Sequence, residues 1–200
     1  MLLVKKYILV TKLASGKSYL SDSDDIEDIN KEGYFTDNLK PIENMLILGG
    51  GYVGYELYSL GVYLGFEVSV YDDRAEFVKK ERYPKAKSLK SGNYEDMINE
   101  YPFNENSYIA IVTRGHLEDG NCLREIIRKN YKYLGLIGSK RKIKLLFDDM
   151  LKDGYKKEEL EKVHAPIGLD ILAESPEEIA ISVFAEIIRE KNGKKNKETS

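Results

Sequence analysis

Two hundred residues suit one domain with a small appendage, and 42% apolar side chains can fill its core. A formal net charge of −3 argues against a protein that coats nucleic acid, and no apolar run approaches the roughly 20 residues of a membrane helix. Cys122 stands alone, which excludes a disulfide framework or a cysteine-based zinc site, and with charge as early as Lys5 and Lys6 the N-terminus is no signal peptide, so a reducing cytoplasm is expected.

In chain order, Tyr7 to Thr11, a turn at Ser15-Gly16-Lys17 and Ser18 to Leu20 predict a β-hairpin. The acidic stretch from Ser21 to Glu32 reads as a surface linker with a short helix. Beyond Pro41 the pattern alternates. Strand-like runs at 45–48, 67–71, 108–113 and 133–137 are separated by helical stretches near 52–64, 93–100, 118–129 and 140–151. That alternation predicts an α/β fold, a Rossmann-like doubly wound parallel sheet with helices on both faces. A last helix is predicted from Pro176 to Glu190, with Ser175 as N-cap, Pro176 at N1 and Glu178 closing a capping box. Ile179, Val183, Phe184, Ile187 and Ile188 share its apolar face. The expected organisation is an N-terminal hairpin and linker over 1–40, the Rossmann-like domain over 41–190, and a frayed basic tail over 191–200.

The strand Met45 to Leu48 runs into Gly49, Gly51 and Gly54, a GxGxxG at the start of a helix. In such a turn the first glycine permits the bend, the second lets a phosphate approach, and the third lets helix pack on strand. Exposed amides at the helix N-terminus favour an anion. Asp72 ends the second strand where a carboxylate would meet a ribose hydroxyl, and Arg74 could tolerate a 2′-phosphate. The same glycines would also serve strand–helix packing alone.

Two further strand ends carry polar clusters: Thr113-Arg114-Gly115-His116, and Gly138-Ser139-Lys140-Arg141-Lys142. Ligands of open parallel sheets lie beyond the carboxyl ends of the strands, so three such ends converging make a site for a phosphorylated, anionic ligand. Gly138 and Ser139 offer helix-terminal donors, and Arg114, Lys140 and Lys142 offer charge. Residues 140–142 are equally readable as a solvated face. His116 with Asp119 forms a metal pair or a base with its orienting carboxylate, or His116 merely donates to a loop carbonyl. Two histidines and scattered carboxylates lack the spacing of a zinc site. Cys122 is expected to face the sheet. Tyr83 and Lys87 match a dehydrogenase Tyr-x-x-x-Lys spacing, but Pro84 follows the tyrosine and the match is chance. The loop His164-Ala165-Pro166-Ile167-Gly168-Leu169-Asp170-Ile171 fits neither helical nor strand period, and proline and glycine set its shape locally.

Taken together, Gly49 to Gly54, Leu64-Gly65-Phe66, Asp72-Asp73-Arg74, Glu81 to Ala86, Thr113 to His116, Tyr133 to Lys142, His164 to Ile171 and Pro176 to Ala180 resemble the C-terminal domain of the xanthine dehydrogenase accessory factor family (XdhC/CoxI type). The resemblance covers roughly residues 41–190. It implies a Rossmann-like domain that binds molybdenum cofactor, as molybdopterin or its dinucleotide, and assists maturation of a molybdenum hydroxylase such as xanthine dehydrogenase. It implies a cytoplasmic carrier, not a catalyst, with an apo-molybdenum hydroxylase and a cysteine desulfurase as expected partners. Carried onto this chain, Gly49, Gly51, Gly54, Asp72 and Arg74 are expected at the nucleotide or phosphate end, with Thr113, Arg114, Gly138, Ser139 and Lys140 completing the cofactor site. His116, His164 and Asp170 are the candidates for any chemistry.

The chain departs from the family in two places. The family's cysteine-containing N-terminal domain is absent from the 40 residues before the glycine turn, so a separate N-terminal-type XdhC polypeptide is an expected partner. Gly50 and Tyr52 stand where alanine and histidine are more usual. Two other readings stay open: an NAD(P)-dependent oxidoreductase using His116 or His164 as proton donor, and a dinucleotide-sensing regulatory domain. A homodimer is a reasonable expectation for a small Rossmann domain with an extra terminal helix.

Overall fold

The computed structural model describes residues 7–22, 33–39 and 42–193. The chain divides into two units, Met1–Ile42 and Glu43–Ser200. In the first, the predicted hairpin is present as β1 (Tyr7–Lys12) and β2 (Lys17–Asp22), joined through Gly16 at φ +65. A third strand, β3 (Tyr34–Leu39), pairs antiparallel with the other edge of β1, giving the order β2-β1-β3. Apolar alternation does not predict it, because Tyr34-Phe35-Thr36-Asp37-Asn38 turns polar after two residues. Ile8 and Val10 form its small core against Tyr34. Most of the predicted acidic linker lies outside the described residues.

The second unit is a parallel sheet of β4 (Asn44–Leu48), β5 (Glu67–Asp72), β6 (Ser88–Ser91), β7 (Ser107–Ile111) and β8 (Tyr133–Leu136), in the order β6-β5-β4-β7-β8. Its helices are α1 (Tyr52–Tyr63), α2 (Tyr94–Asn99), α3 (His116–Ile126), α4 (Lys140–Lys152), α5 (Lys157–Leu160) and α6 (Pro176–Gly193). Strands β4, β5, β7 and β8 are largely apolar because both their faces are covered, while the edge strand β6 is mostly polar. Met45, Ile47, Val68, Val70, Tyr108 and Ala110 pack beneath α1 and α6, where Leu57, Val183, Phe184 and Ile187 meet them. Leu46, Leu48, Ile109, Ile111 and Leu134 face the other way, onto Ile98, Cys122, Leu123, Ile126 and Met150. This is the predicted Rossmann-like fold.

Past β8 the chain comes back to the sheet once more. His164 bridges Gly135 in parallel, its amide donating to the Leu134 carbonyl and its own carbonyl accepting from the Leu136 amide, both at 2.9 Å. The segment is a rudimentary sixth strand, which brings the loop 166–173 to the rim beside β8. The capping box of α6 forms as predicted: the Glu178 amide donates to Ser175 Oγ (3.3 Å) and the Ser175 amide to Glu178 Oε2 (3.1 Å). Ile188, expected on the apolar face, is 45% exposed although Ile187 beside it is wholly buried, because it shares the edge of the helix with the exposed Ile181. Lys191–Gly193, expected to fray, continue the helix, and 194–200 lie outside the described residues. No described helix is long and apolar enough to cross a membrane.

Candidate functional site

The chain order of the strands reverses between β4 and β7, and the crevice beyond their carboxyl ends is where ligands of such sheets bind. The glycine turn sits there. At Gly49, φ is +116 and an added Cβ would fall 2.3 Å from the Val112 carbonyl oxygen; at Gly54 it would fall 1.9 Å from the Gly49 oxygen. Packing alone accounts for both. Gly51 differs: nothing lies within 4 Å of where its Cβ would be. It is the N-cap of α1, offers no side-chain cap, and is followed by no acidic residue in the first turn. The first amides of α1 have no hydrogen-bond partner among the described residues, and the helix dipole lies behind them.

Asp72 does not stand ready for a ribose. Its side chain is 1% exposed and both oxygens are taken. Oδ2 accepts from the Gly50 amide (2.7 Å) and Arg74 Nη2 (3.0 Å), and Oδ1 from the Arg74 amide (3.0 Å) and Nε (2.8 Å). Burial pushes the carboxyl pKa up, but the Arg74 guanidinium and the amides of Arg74 and Gly50 outweigh it and hold it below the usual value. The expected ribose contact is thus corrected: Asp72 is a clamp on the glycine turn. Arg74, the expected 2′-phosphate residue, is committed to that clamp and lies 3.8 Å over the Phe77 ring.

Two residues of the Glu81 to Ala86 string, not expected at the site, brace the turn. Tyr83 is fully buried and its hydroxyl donates to the Gly50 carbonyl at 2.8 Å, bracing the turn from behind. Arg82 donates through Nη2 to the Gly51 carbonyl (3.2 Å), its guanidinium 5.0 Å over the Tyr55 ring. Among the described residues no carboxylate pairs with it, so a positive charge is left at the edge of the turn. Lys87, the other half of the chance dehydrogenase spacing, pairs with Glu67.

At the end of β7, Thr113 donates to Asp119 Oδ1 (2.6 Å), a carboxylate 6% exposed, while Arg114 is exposed. His116 opens α3 on the same rim; its side chain lies outside the described residues. At the end of β8, Ser139 is the N-cap of α4, its hydroxyl turned to the Lys142 amide at 3.4 Å. Lys140 Nζ lies 3.7 Å from Asp170 across the mouth of a cavity of about 360 Å³. Ile137, Gly138, Pro166, Ile167, Ile179 and Ser182 line that cavity. Leu172, at φ +59 and 88% exposed, stands at its outer lip.

His164 and Asp170, expected in one constellation, are used differently. The imidazole stacks on Tyr133 with ring centres 4.5 Å apart, and Nδ1 lies 3.3 Å from Glu186 Oε1. Glu186 also accepts from the Tyr133 hydroxyl (2.7 Å) and the Gly168 amide (3.0 Å). Burial pushes the Glu186 carboxyl up, yet the bonds from His164, Tyr133 and Gly168 together bring it below the ordinary glutamate value. His164 is not among the cavity's lining residues; through Glu186 it holds the loop that is.

The family model of the XdhC Rossmann domain matches residues 45–187, more than half of the chain. The chain belongs to this family. YqeB of Escherichia coli (strain K12), an uncharacterized protein, is 30% identical to it over 149 residues, spanning 74% of this chain and 27% of that protein. A Bacillus subtilis (strain 168) protein described as a probable component of xanthine dehydrogenase is 31% identical over 155 residues, spanning 78% of this chain and 45% of that protein. The chain thus corresponds to less than half the length of either. The crystal structure of a xanthine dehydrogenase from Bacillus halodurans superposes with a TM-score of 0.76 at 23% identity, over 94% of this chain and 60% of the other, which establishes the shared fold.

Within this XdhC domain, Cys122 faces the sheet as expected and is wholly buried; burial, then the charges of Asp119 and Glu118, push its thiol far up. A thiol so held is no nucleophile. Among the described residues no three His, Cys, Asp or Glu side chains are grouped to hold a metal ion.

Proposed function

We propose that this XdhC domain is an accessory protein of a molybdenum hydroxylase such as xanthine dehydrogenase, and that it holds a phosphorylated pterin, molybdopterin or its dinucleotide, during maturation of that enzyme. One observation carries the reading: the open N-terminus of α1 at Gly51, flanked by the carboxylate-free Arg82, shares a sheet face with the cavity beside β8. The two are separated by the end of β7, about 10 Å across two strand spacings. An anion at the α1 amides and an apolar heterocycle at the cavity fit the chemistry of the two ends. The bound cofactor would supply the redox-active metal for the client enzyme. This chain's residues bind and orient it: Gly51 leaves room for phosphate, Arg82 balances its charge, and Tyr83 and Asp72 hold the turn in shape.

The geometry disfavours a nicotinamide dehydrogenase, because Asp72 has no oxygen left for a ribose hydroxyl. Equilibrium dialysis tests the proposal. Molybdopterin should be retained by the chain, alone or with an apo-hydroxylase, and Gly51→Val should abolish retention; no retention in either setting overturns the function. NADPH fluorescence should be unchanged by the protein.

A further inference from the structure

The function proposed above puts the ligand's phosphate at the glycine turn and its heterocycle in the cavity beside β8, and leaves open which groups of the cavity read that ring. We propose that this cavity is a subsite for a flat 2-amino-4-oxopyrimidine ring, the ring shared by pterins and guanine, with Ser182 and Asp170 as its specificity-determining residues and Lys140 as its cation; this rests on the function proposed above. At about 360 Å³ the cavity is large enough for such a ring, within the range of small-molecule sites.

Ser182 is the decisive residue. It lies in the second turn of α6, lines the cavity and is only 4% exposed, yet its hydroxyl makes no hydrogen bond among the described residues. Unlike the Tyr94 hydroxyl, which is enclosed and unpaired, the Ser182 oxygen keeps contact with solvent in the cavity, so it is open to a ligand that can replace that water. Gly168 keeps this one uncovered. At φ +93, an added Cβ at Gly168 would fall 2.1 Å from Ser182 Oγ, so any other residue would stop up that wall of the cavity. The two amides of the loop that follow Ile167 are spent elsewhere: the Gly168 amide on Glu186 (3.0 Å) and the Leu169 amide on the Ser182 carbonyl (3.2 Å).

The rest of the lining matches one chemistry. Ile137, Ile167 and Ile179 give apolar walls for the face of a ring. The Gly138 amide, just before the 13-residue α4, has no hydrogen-bond partner among the described residues. Asp170 and Lys140 face each other at 3.7 Å with side chains 76% and 83% exposed, a pairing loose enough for a ligand to part. A carboxylate accepts from the amino group and adjacent ring N–H of a 2-amino-4-oxopyrimidine, while Ser182 and the Gly138 amide can donate to its oxo group. Lys140 is then free for the ligand's anionic substituent.

Fluorescence titration of the full chain with pterin-6-carboxylate tests this. Binding should weaken about tenfold in Ser182→Ala, the loss of one hydrogen bond, with an unchanged melting temperature because the hydroxyl bonds nothing else in the fold. Asp170→Asn should weaken it similarly. Gly168→Ala would also close the site but risks misfolding, so Ser182→Ala decides. Displacement of the pterin by guanosine monophosphate, again dependent on Ser182, would uphold the subsite and assign it to the base of a guanine dinucleotide. Binding indifferent to both Ser182→Ala and Asp170→Asn would overturn the subsite. So would absence of pterin binding alongside retained molybdopterin, and in both cases the proposed function survives. Loss of pterin binding and of molybdopterin retention together would remove both.

Discussion

The glycine turn and the β8 cavity lie on one rim and are built in opposite ways. The turn is local: six consecutive residues, braced by Asp72 and Tyr83, in a shape that packing dictates at Gly49 and Gly54. The cavity is assembled from three stretches, around residues 137–140, 166–173 and 179–182, and its loop is held by a buried carboxylate on α6. A turn of the first kind survives change of ligand because the fold needs it. One of the second kind has groups, such as the Ser182 hydroxyl, that the fold does not need.

The largest effect should come from the turn. Gly54→Ala places a methyl 1.9 Å from the Gly49 carbonyl oxygen, and backbone must move to admit it. We expect a loss of roughly 3 kcal/mol or more, read by urea unfolding, against the usual gain for alanine in a helix. A neutral result would mean that the strand–helix approach is not tight, and the contrast between the two regions would lose its basis.

Next comes the carboxylate behind the cavity. Glu186→Ala should cost about 2–3 kcal/mol, because the Tyr133 hydroxyl and Gly168 amide are left unpaired in the interior. The charge itself is read by pH. The folded pKa of Glu186 lies below its ordinary 4.5, so its ionised form stabilises the fold above that value, and the contribution fades as pH falls through the lower folded value. Between pH 7 and pH 3 the native chain should lose more stability than Glu186→Gln does; parallel losses would show that the carboxylate is not held by these bonds.

Asp72→Asn should cost about 1–2 kcal/mol, the loss of a charge-assisted bidentate pair with Arg74. A residue reserved for ribose would instead leave the melting temperature unchanged and alter NAD(P)H affinity.

The same contrast decides what can be read from the residues alone. β4, β5, β7 and β8 are legible as apolar runs because helices cover both faces, whereas β6, Ser88-Leu89-Lys90-Ser91, is an edge strand whose polar side chains carry no such signature. The four-residue α5 is too short for a helical period to register. Gly49, Gly51 and Gly54 are visible by spacing, but Asp72 reads as a ligand contact because nothing in sequence tells a free carboxylate from one clamped by Arg74 two residues on. The motif His164 to Ile171 is visible, while its governing partner Glu186 is just one more acidic position on a helix. Ser182 is equally silent: a serine in an apolar helix shows no period, and only the approach of Gly168 makes it a site.

The smallest change in stability sharpens the comparison most. Gly51, at φ −70 and ψ −159, has a backbone that alanine can adopt, and no atom lies within 4 Å of the added methyl. The exchange of glycine for alanine at an N-cap costs a few tenths of a kcal/mol, so Gly51→Ala should melt within about a degree or two of the native chain. Its methyl nevertheless occupies the space in front of the α1 amides, where a phosphate must come within hydrogen-bond distance. Molybdopterin retention in dialysis should therefore drop several-fold while binding of pterin-6-carboxylate, which needs only the cavity, stays as it was. A fall in both would mean that the two ends of the rim are one site and not two joined by a ligand.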